Sequence, residues 1–468
     1  MIYLFHSTDF IIFFVGIFCL YWLSSHRYRN VILLIASYLF YISWDWRFLG
    51  LLLISTGIDY YCGIRLGQEE NVKKRRGYLL LSIVVNLSLL GFFKYFNFFT
   101  ENLIALLSHL GLAFNYTTLH IILPVGISFY TFQTLSYTFD VYKRRMGPTR
   151  NIIDFALFVS FFPQLIAGPI ERAVDLIPKL TAKKQFKNIP YKTAFYLFMY
   201  GAFTKVVIAD HVGLIADSVF KEASPPGSLV VLGVLAFALQ IYCDFSGYSN
   251  MARGIAYFLG VELSVNFNLP YFSIKPSEFW KRWHITLSSW VQDYLYIPLG
   301  GNKARFYSSL IISMFLMGLW HGAGWNFILW GVYWAGVTIV YRVWDIFKEG
   351  KKLPSNSATK SASILIFFII TSYSWLIFRS QSFHQIISLT TSLLSGIDLS
   401  TLYVPRYLYL YASMIFILIY EVILYQKNDQ LVVPKQGFYT QMAFYLILFF
   451  LFVEIGAVTD ATFIYFQF

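Results

Sequence analysis

Apolar residues recur along this chain in long runs, separated by short polar stretches in which lysine and arginine predominate. About 20 consecutive apolar residues are what a helix needs to cross the ~30 Å hydrocarbon core of a bilayer. Runs at about 31–46, 47–64, 78–96, 119–141, 194–220, 228–250, 362–378, 407–425 and 437–455 therefore predict spanning helices. A first run, Phe10 to Leu23, has no basic region before it and no A-x-A site after it. It predicts a retained helix and not a cleaved signal. Two further runs break the pattern. Residues 152–168 are interrupted by Pro163 and closed by Gly168 and Pro169, and residues 307–341 contain His321-Gly322-Ala323-Gly324. Both are basic on each flank, which predicts segments that enter and leave by one face. Such backbone is tolerated at membrane depth only where protein or a water-filled cavity shields it. The leg from Tyr307 to Trp320, at ~1.5 Å per residue, climbs roughly 21 Å and carries His321 deep into the core.

Placing basic loops in the cytoplasm puts both termini outside. Twenty-nine of the 36 Lys and Arg then fall in the inner loops, so the net charge of +12 is explained by topology and predicts no nucleic acid partner. The chain is 57% hydrophobic, 20% aromatic and only 13% charged, with a mean hydropathy of +0.59. Too few polar side chains remain to cover a soluble enzyme of 468 residues, and disorder is excluded as well. The fold class predicted is an all-α polytopic integral membrane protein with about 10–12 transmembrane helices, some re-entrant or broken. It forms one domain over 1–468, with a core at about 120–341 and peripheral helices at 1–118 and 362–468. Cys19, Cys62 and Cys243 lie in apolar runs without C-x-x-C spacing and read as small core residues, with neither disulfide nor zinc indicated.

Polar groups inside apolar runs need a partner or a task, since a charge at the centre of a membrane helix costs at least ~2.5–3.5 kcal/mol. In Trp320-His321-Gly322-Ala323-Gly324-Trp325-Asn326 a histidine stands at a predicted helix break, beside two glycines that permit close approach. A buried histidine satisfied by a carbonyl is the structural alternative. Ser277 to Tyr296 follows a helical period behind Pro276, with Ser277 as N-cap. Trp280, Trp283, Leu287, Val291 and Tyr294 lie on one face and Lys281, Ser288, Ser289 and Gln292 on the other. That predicts one amphipathic helix at the inner interface, His284 lying at the edge of its apolar arc, where a channel mouth and a structural role are both open. The turn Ile297-Pro298-Leu299-Gly300-Gly301-Asn302 offers backbone donors for an anion. Gln240, Asp244 and Gly247 or Tyr248 share a helix face, lining a vestibule or forming a structural network in which Arg253 is the ion partner of Asp244. Lys205, Asp210, His211 and Asp217 form a cluster that pairs internally. No G-x-S-x-G elbow, P-loop or H-E-x-x-H is present, and no two histidines stand at ligand spacing on one helix, so no metal site is predicted.

The run Pro276-Ser277-Glu278-Phe279-Trp280-Lys281-Arg282-Trp283-His284, followed by Asp293-Tyr294-Leu295-Tyr296-Ile297-Pro298-Leu299-Gly300-Gly301-Asn302 and Trp320-His321-Gly322, resembles the membrane-bound O-acyltransferase family. The bacterial branch containing the membrane subunit of alginate O-acetylation is the most similar. Pro124 to Phe129, Phe162 to Ile170, Asp244 to Ser249 and the terminal Phe463 to Phe468 support the resemblance, which is dense from about 120 to 335. Where relatives often carry arginine, this chain has Gln292. The resemblance implies a central tunnel, with His321 and, upstream of it, His284 as the catalytic residues. Trp320, Asp244, Gln240, Asp293 and Asn302 are then expected to line the tunnel or contact substrate. It further implies acetyl-CoA as donor substrate with no bound cofactor, a polysaccharide acceptor outside, and a secreted or periplasmic partner of hydrolase (SGNH-like) fold. The location expected is the bacterial inner membrane. D-alanyl transfer to teichoic acid is a neighbouring alternative. From other classes, a transporter or flippase and a noncatalytic scaffold share the broken helices.

Overall fold

The computed structural model of the chain describes residues 4–112, 121–166, 168–301, 305–348, 356–396, 398, 407–455 and 463–464. Eight helices among them are long and apolar enough to cross a membrane: Trp46–Gln68, Val72–His109, Tyr191–Lys221, Gly227–Phe258, Trp325–Lys348, Ser357–Arg379, Leu408–Lys427 and Phe438–Ile455. Thr8–Leu23, Ile152–Leu165 and Phe306–His321 are shorter apolar helices. The chain is an all-α, multi-pass membrane protein. Its outward surface says the same: Leu446, Phe449, Phe450 and Val453 of the last helix are all largely exposed, as only a lipid-facing helix tolerates.

The chain divides into two compact units, residues 1–194 with 252–264, and residues 195–251 with 265–468. The first contains α1 (Thr8–Leu23), α2 (His26–Ile42), α3 (Leu49–Gln68), α4 (Val72–His109), α5 (Ile127–Tyr142), α6 (Ile152–Ser160), α7 (Phe162–Leu165) and α8 (Ala173–Thr181). Asparagine N-caps open two of them: Asn71 accepts from the N–H groups of Lys73 and Lys74, and Asn151 from that of Ile153. The buried carboxylate of Asp59 accepts from Ser82 Oγ at 2.5 Å and Asn86 Nδ2 at 2.9 Å, tying α3 to α4 through a polar network invisible to hydropathy.

The predicted break in 152–168 is present. α6 spans nine residues, roughly 13.5 Å, well short of a crossing. At Phe161 the backbone turns extended and α7 restarts. The exposed ends find partners within the same unit: the carbonyl of Phe158 accepts from both Gln133 Nε2 and Gln164 Nε2 at 2.8 Å, and the N–H of Phe162 donates to Ser37 Oγ at 3.1 Å. These bonds supply the shielding that an interrupted membrane helix requires. Cys19 departs from its expected core position. It is exposed, because α1 turns Ile12, Val15, Leu20 and Leu23 outward along with it, while Cys62 and Cys243 are buried.

The second unit contains α9 (Tyr191–Ala202, begun in the first), α10 (Asp210–Lys221), α11 (Gly227–Phe258, ending in the first), α12 (Pro276–Phe279), α13 (Ile285–Val291), α14 (Phe306–His321), α15 (Trp325–Lys348), α16 (Ser357–Arg379), α17 (Phe383–Ser395), α18 (Leu408–Lys427) and α19 (Phe438–Ile455). α14 and α15 form a hairpin whose interface is set by Gly318 and Gly331. A Cβ on Gly318 would run into the carbonyl oxygen of Phe327, and one on Gly331 into that of Met314, so only glycine permits this approach. Gly331→Ala is expected to destabilise the protein by ~1–3 kcal/mol through overpacking. Gly336→Ala, on the same helix but facing open space, should leave melting in detergent unchanged. Equal melting of the two variants would contradict the packing assigned to the hairpin.

Candidate active site

α14 ends at His321, and Gly322, in extended conformation (φ −166°, ψ 157°), begins the short break before α15 starts at Trp325. This is the discontinuity expected from the Gly-Ala-Gly sequence. Gly322 is pressed against the Phe327 ring, where a Cβ would not fit. Asn326 Nδ2 donates to the carbonyl of Phe378 at 2.9 Å, pinning the start of α15 to the end of α16. The His321 ring is 4% exposed and enclosed by aromatic edges: Trp320 at 5.0 Å, Trp330 at 4.8 Å and Phe378 at 5.3 Å between centroids, all near perpendicular. Such packing fixes the imidazole in orientation and lowers the polarity around it.

The continuous amphipathic helix expected over Ser277–Tyr296 is not formed. Pro276 occupies the first position of a four-residue helix capped by Lys275, not Ser277. The chain then turns, His284 takes a left-handed conformation (φ 40°, ψ 55°), and α13 starts one residue later. A π-helical stretch, Gln292–Tyr296, follows. Faces were nonetheless assigned correctly for the larger side chains: Trp283, Leu287 and Tyr294 are buried, while Lys281 and Gln292 are exposed.

His284 therefore does not stand at the edge of an arc. It is 1% exposed, and burial holds its imidazole well below the ordinary histidine range, hence neutral at physiological pH. The tautomer follows from its partner. Asn266 Oδ1 accepts from the backbone N–H of Thr286 (3.3 Å), which can only donate, and from Thr286 Oγ1 (3.0 Å). The group at 3.0 Å from His284 Nδ1 is thus an oxygen, and Nδ1 carries the proton donated to it. Nε2 is then the basic nitrogen. The His284 ring lies edge-on to Phe245 (4.7 Å) and 6.0 Å from the ring of Trp320. Asn266, itself 1% exposed, was not singled out from the sequence; its one signal is an amide inside the apolar stretch Leu263 to Tyr271. Asn266→Val should cost ~1–3 kcal/mol by leaving a buried donor unpaired. Thermal unfolding in detergent measures it, and an unchanged midpoint would contradict the assigned bond.

The remaining expected residues divide. Trp320 is buried, its ring 6.0 Å from that of His284 and 5.0 Å from that of His321. Asp244 is buried, but its partner is not Arg253, which lies nine residues, roughly 13.5 Å, along the same helix. Asp244 Oδ1 is 3.0 Å from Lys205 Nζ, and Asp244 Oδ2 accepts from the N–H of Ile464 at 2.7 Å. Lys205 sits in a π-helical stretch, Phe203–Ala209, and also contacts Asp210 at 2.6 Å. Asp217, expected in the same cluster, instead pairs with Arg379 at 2.6 Å, and His211 Nδ1 lies 3.2 Å from the carbonyl of Val206. Phe463 packs on Phe245 and Tyr248, so this part of the terminal motif lies against the protein's own helices. Gln240 is half-buried against Gly213, and Asp293 is half-buried in the π stretch. Asn302 lies outside the described residues. The turn before it offers no free row of donors: the N–H groups of Leu299, Gly300 and Gly301 donate within it, to Leu295, Ile297 and Tyr296.

A buried histidine stands at a helix break, and the tryptophan before it packs on a second histidine of fixed tautomer. Residues 78–349 match the family described as MBOAT, membrane-bound O-acyltransferase family. The chain belongs to the membrane-bound O-acyltransferases. It is 41% identical over 384 residues to the probable alginate O-acetylase AlgI of Azotobacter vinelandii, covering 81% of this chain and 75% of that one. To the peptidoglycan O-acetyltransferase of Helicobacter pylori it is 34% identical over 421 residues, covering 82% and 78%. To the teichoic acid D-alanyltransferase of Bacillus subtilis it is 26% identical over 282 residues, covering 56% and 70%. As an O-acyltransferase, this protein is an enzyme, and the transporter and scaffold readings fall away.

Proposed function

We propose that this O-acyltransferase moves acetyl from cytoplasmic acetyl-CoA across the inner membrane for O-acetylation of an extracytoplasmic polysaccharide, through a secreted partner of hydrolase-like fold. The observation that carries the reading is the buried ring of His321 at the break between α14 and α15. Similarity over most of the chain to an alginate O-acetylase and a peptidoglycan O-acetyltransferase supports acetyl as the group and a polymer as its destination. A cytoplasmic thioester and an outside hydroxyl must meet at one group, and in this reading that group is His321 at the interrupted helix.

In this reading His321 takes the proton of the acceptor hydroxyl as its oxygen attacks the thioester carbonyl. The tetrahedral intermediate collapses with cleavage of the C–S bond, and His321 returns the proton to the leaving thiolate. A C–O bond replaces a C–S bond with no net proton change. Trp320, Trp330 and Phe378 keep the ring oriented. His284 acts as a positioning residue, its Nδ1–H anchored on Asn266 and its ring set against Trp320.

D-alanyl transfer is the second reading, favoured by the weaker and shorter similarity to the teichoic acid enzyme. Membranes holding the full chain and its partner, offered radiolabelled acetyl-CoA or a D-alanyl-loaded carrier protein, distinguish the two. Label transfer is expected from acetyl-CoA alone. Transfer only from the carrier would replace the proposed donor.

A further inference from the structure

Within the second unit, α11, α16 and α18 enclose a trough of about 740 Å³ whose walls include Leu235, Leu239, Phe368, Met414 and Leu418. Its lining is almost entirely hydrocarbon. Water filling a space of this size would face apolar groups with few hydrogen-bonding partners, so the stable occupant of a cavity between spanning helices is hydrocarbon. Leu365, Ile415 and Leu418 on its walls are each more than half exposed, so the trough is open at the protein's surface. The one carboxylate in the wall, Glu421, accepts a hydrogen bond from the Tyr242 hydroxyl of α11, which engages it on that side.

One end of the trough is cationic. Phe272, a wall residue, stacks on Tyr425 at 4.8 Å and 15°. Over the same tyrosine ring lie Lys360 Nζ at 5.1 Å and Arg282 Cζ at 5.9 Å. Arg282 is partly committed to Glu278 at 2.9 Å, whereas Lys360, on the exposed first turns of α16, directly precedes the wall residue Ser361. An apolar slot ending at a lysine complements a molecule with a hydrocarbon tail and an anionic head. We propose that the trough binds an acyl chain of an anionic phospholipid, with the phosphate against Lys360. This inference is independent of the acyl donor and acceptor proposed above.

The test uses the full chain purified from nanodiscs of palmitoyl-oleoyl phosphatidylglycerol or of the zwitterionic phosphatidylcholine with the same chains, with retained lipids counted by native mass spectrometry. One retained phosphatidylglycerol is expected, favoured at least fivefold over phosphatidylcholine. Lys360→Glu should abolish that preference while phosphatidylcholine retention is unchanged, which also reports an intact fold. Met414→Trp, filling the slot, should lower retention of both lipids at least fivefold with an unchanged melting temperature. Equal retention of the two lipids by the unmodified protein would overturn the proposal. So would a preference that survives Lys360→Glu, or retention that survives Met414→Trp.

Discussion

His321→Ala is expected to reduce acyl transfer by at least ~10²–10⁴-fold, the range contributed by a positioned general acid–base group. The proposed mechanism assigns both proton transfers to this one ring, so no second group in the account replaces it. Histidine is the side chain suited to taking a proton and returning it near neutrality. Alanine also empties a ring-sized space among Trp320, Trp330 and Phe378, which itself destabilises. His321→Gln separates the two effects, because it fills much of the space without a titratable nitrogen. Both variants should reach the membrane at normal levels and lack label transfer from acetyl-CoA. Retained transfer in the glutamine variant would remove His321 from the chemistry.

The largest expected effect on stability is at Lys205. Lys205→Met leaves Asp210 and Asp244, both buried, without the cation that contacts them at 2.6 and 3.0 Å. Breaking a buried ion pair from one side costs ~3–5 kcal/mol, comparable with a large part of the stability of many folded domains. The damage should reach the C-terminal segment, since Asp244 also receives the N–H of Ile464. Loss of folded protein from the membrane, or a steep fall in melting temperature after extraction, is the expected result. The paired variant Lys205→Met with Asp244→Asn should recover part of the loss by removing one stranded charge. Full stability of the single variant would show that the cluster does not hold the fold as described.

What the sequence made legible were features encoded locally. Seven of the nine apolar runs coincide with helices long and apolar enough to cross, whereas the runs at 31–46 and 119–141 hold the shorter α2 and α5; the glycines after His321, framed by basic flanks, marked the break that the structure contains. His284 shows where local pattern fails. The apolar period continues through Trp283 and Leu287, so periodicity predicts an unbroken helix, yet a single left-handed residue splits it. Nothing in the residue type announces that conformation, and it moves His284 from the edge of an arc to full burial. Partners distant in the chain were equally hidden. Asn266 reaches His284 across 18 residues, and Lys205 reaches Asp244 across two different helices, whereas Arg253 had only proximity in sequence to recommend it. Asp59 and Glu421 went unremarked, because a single carboxylate in an apolar run discloses nothing about Ser82, Asn86 or Tyr242 beside it.

A histidine serving a thioester on one side of the bilayer and a hydroxyl on the other imposes a sidedness on the reaction. Inverted and right-side-out membrane vesicles carrying the full chain and its partner are supplied externally with radiolabelled acetyl-CoA, and the compartment holding the labelled ester is determined. Label is expected inside inverted vesicles, none from right-side-out vesicles, and none in either with His321→Gln. Ester formed on the same side as the donor, or transfer that persists in the glutamine variant, would contradict it.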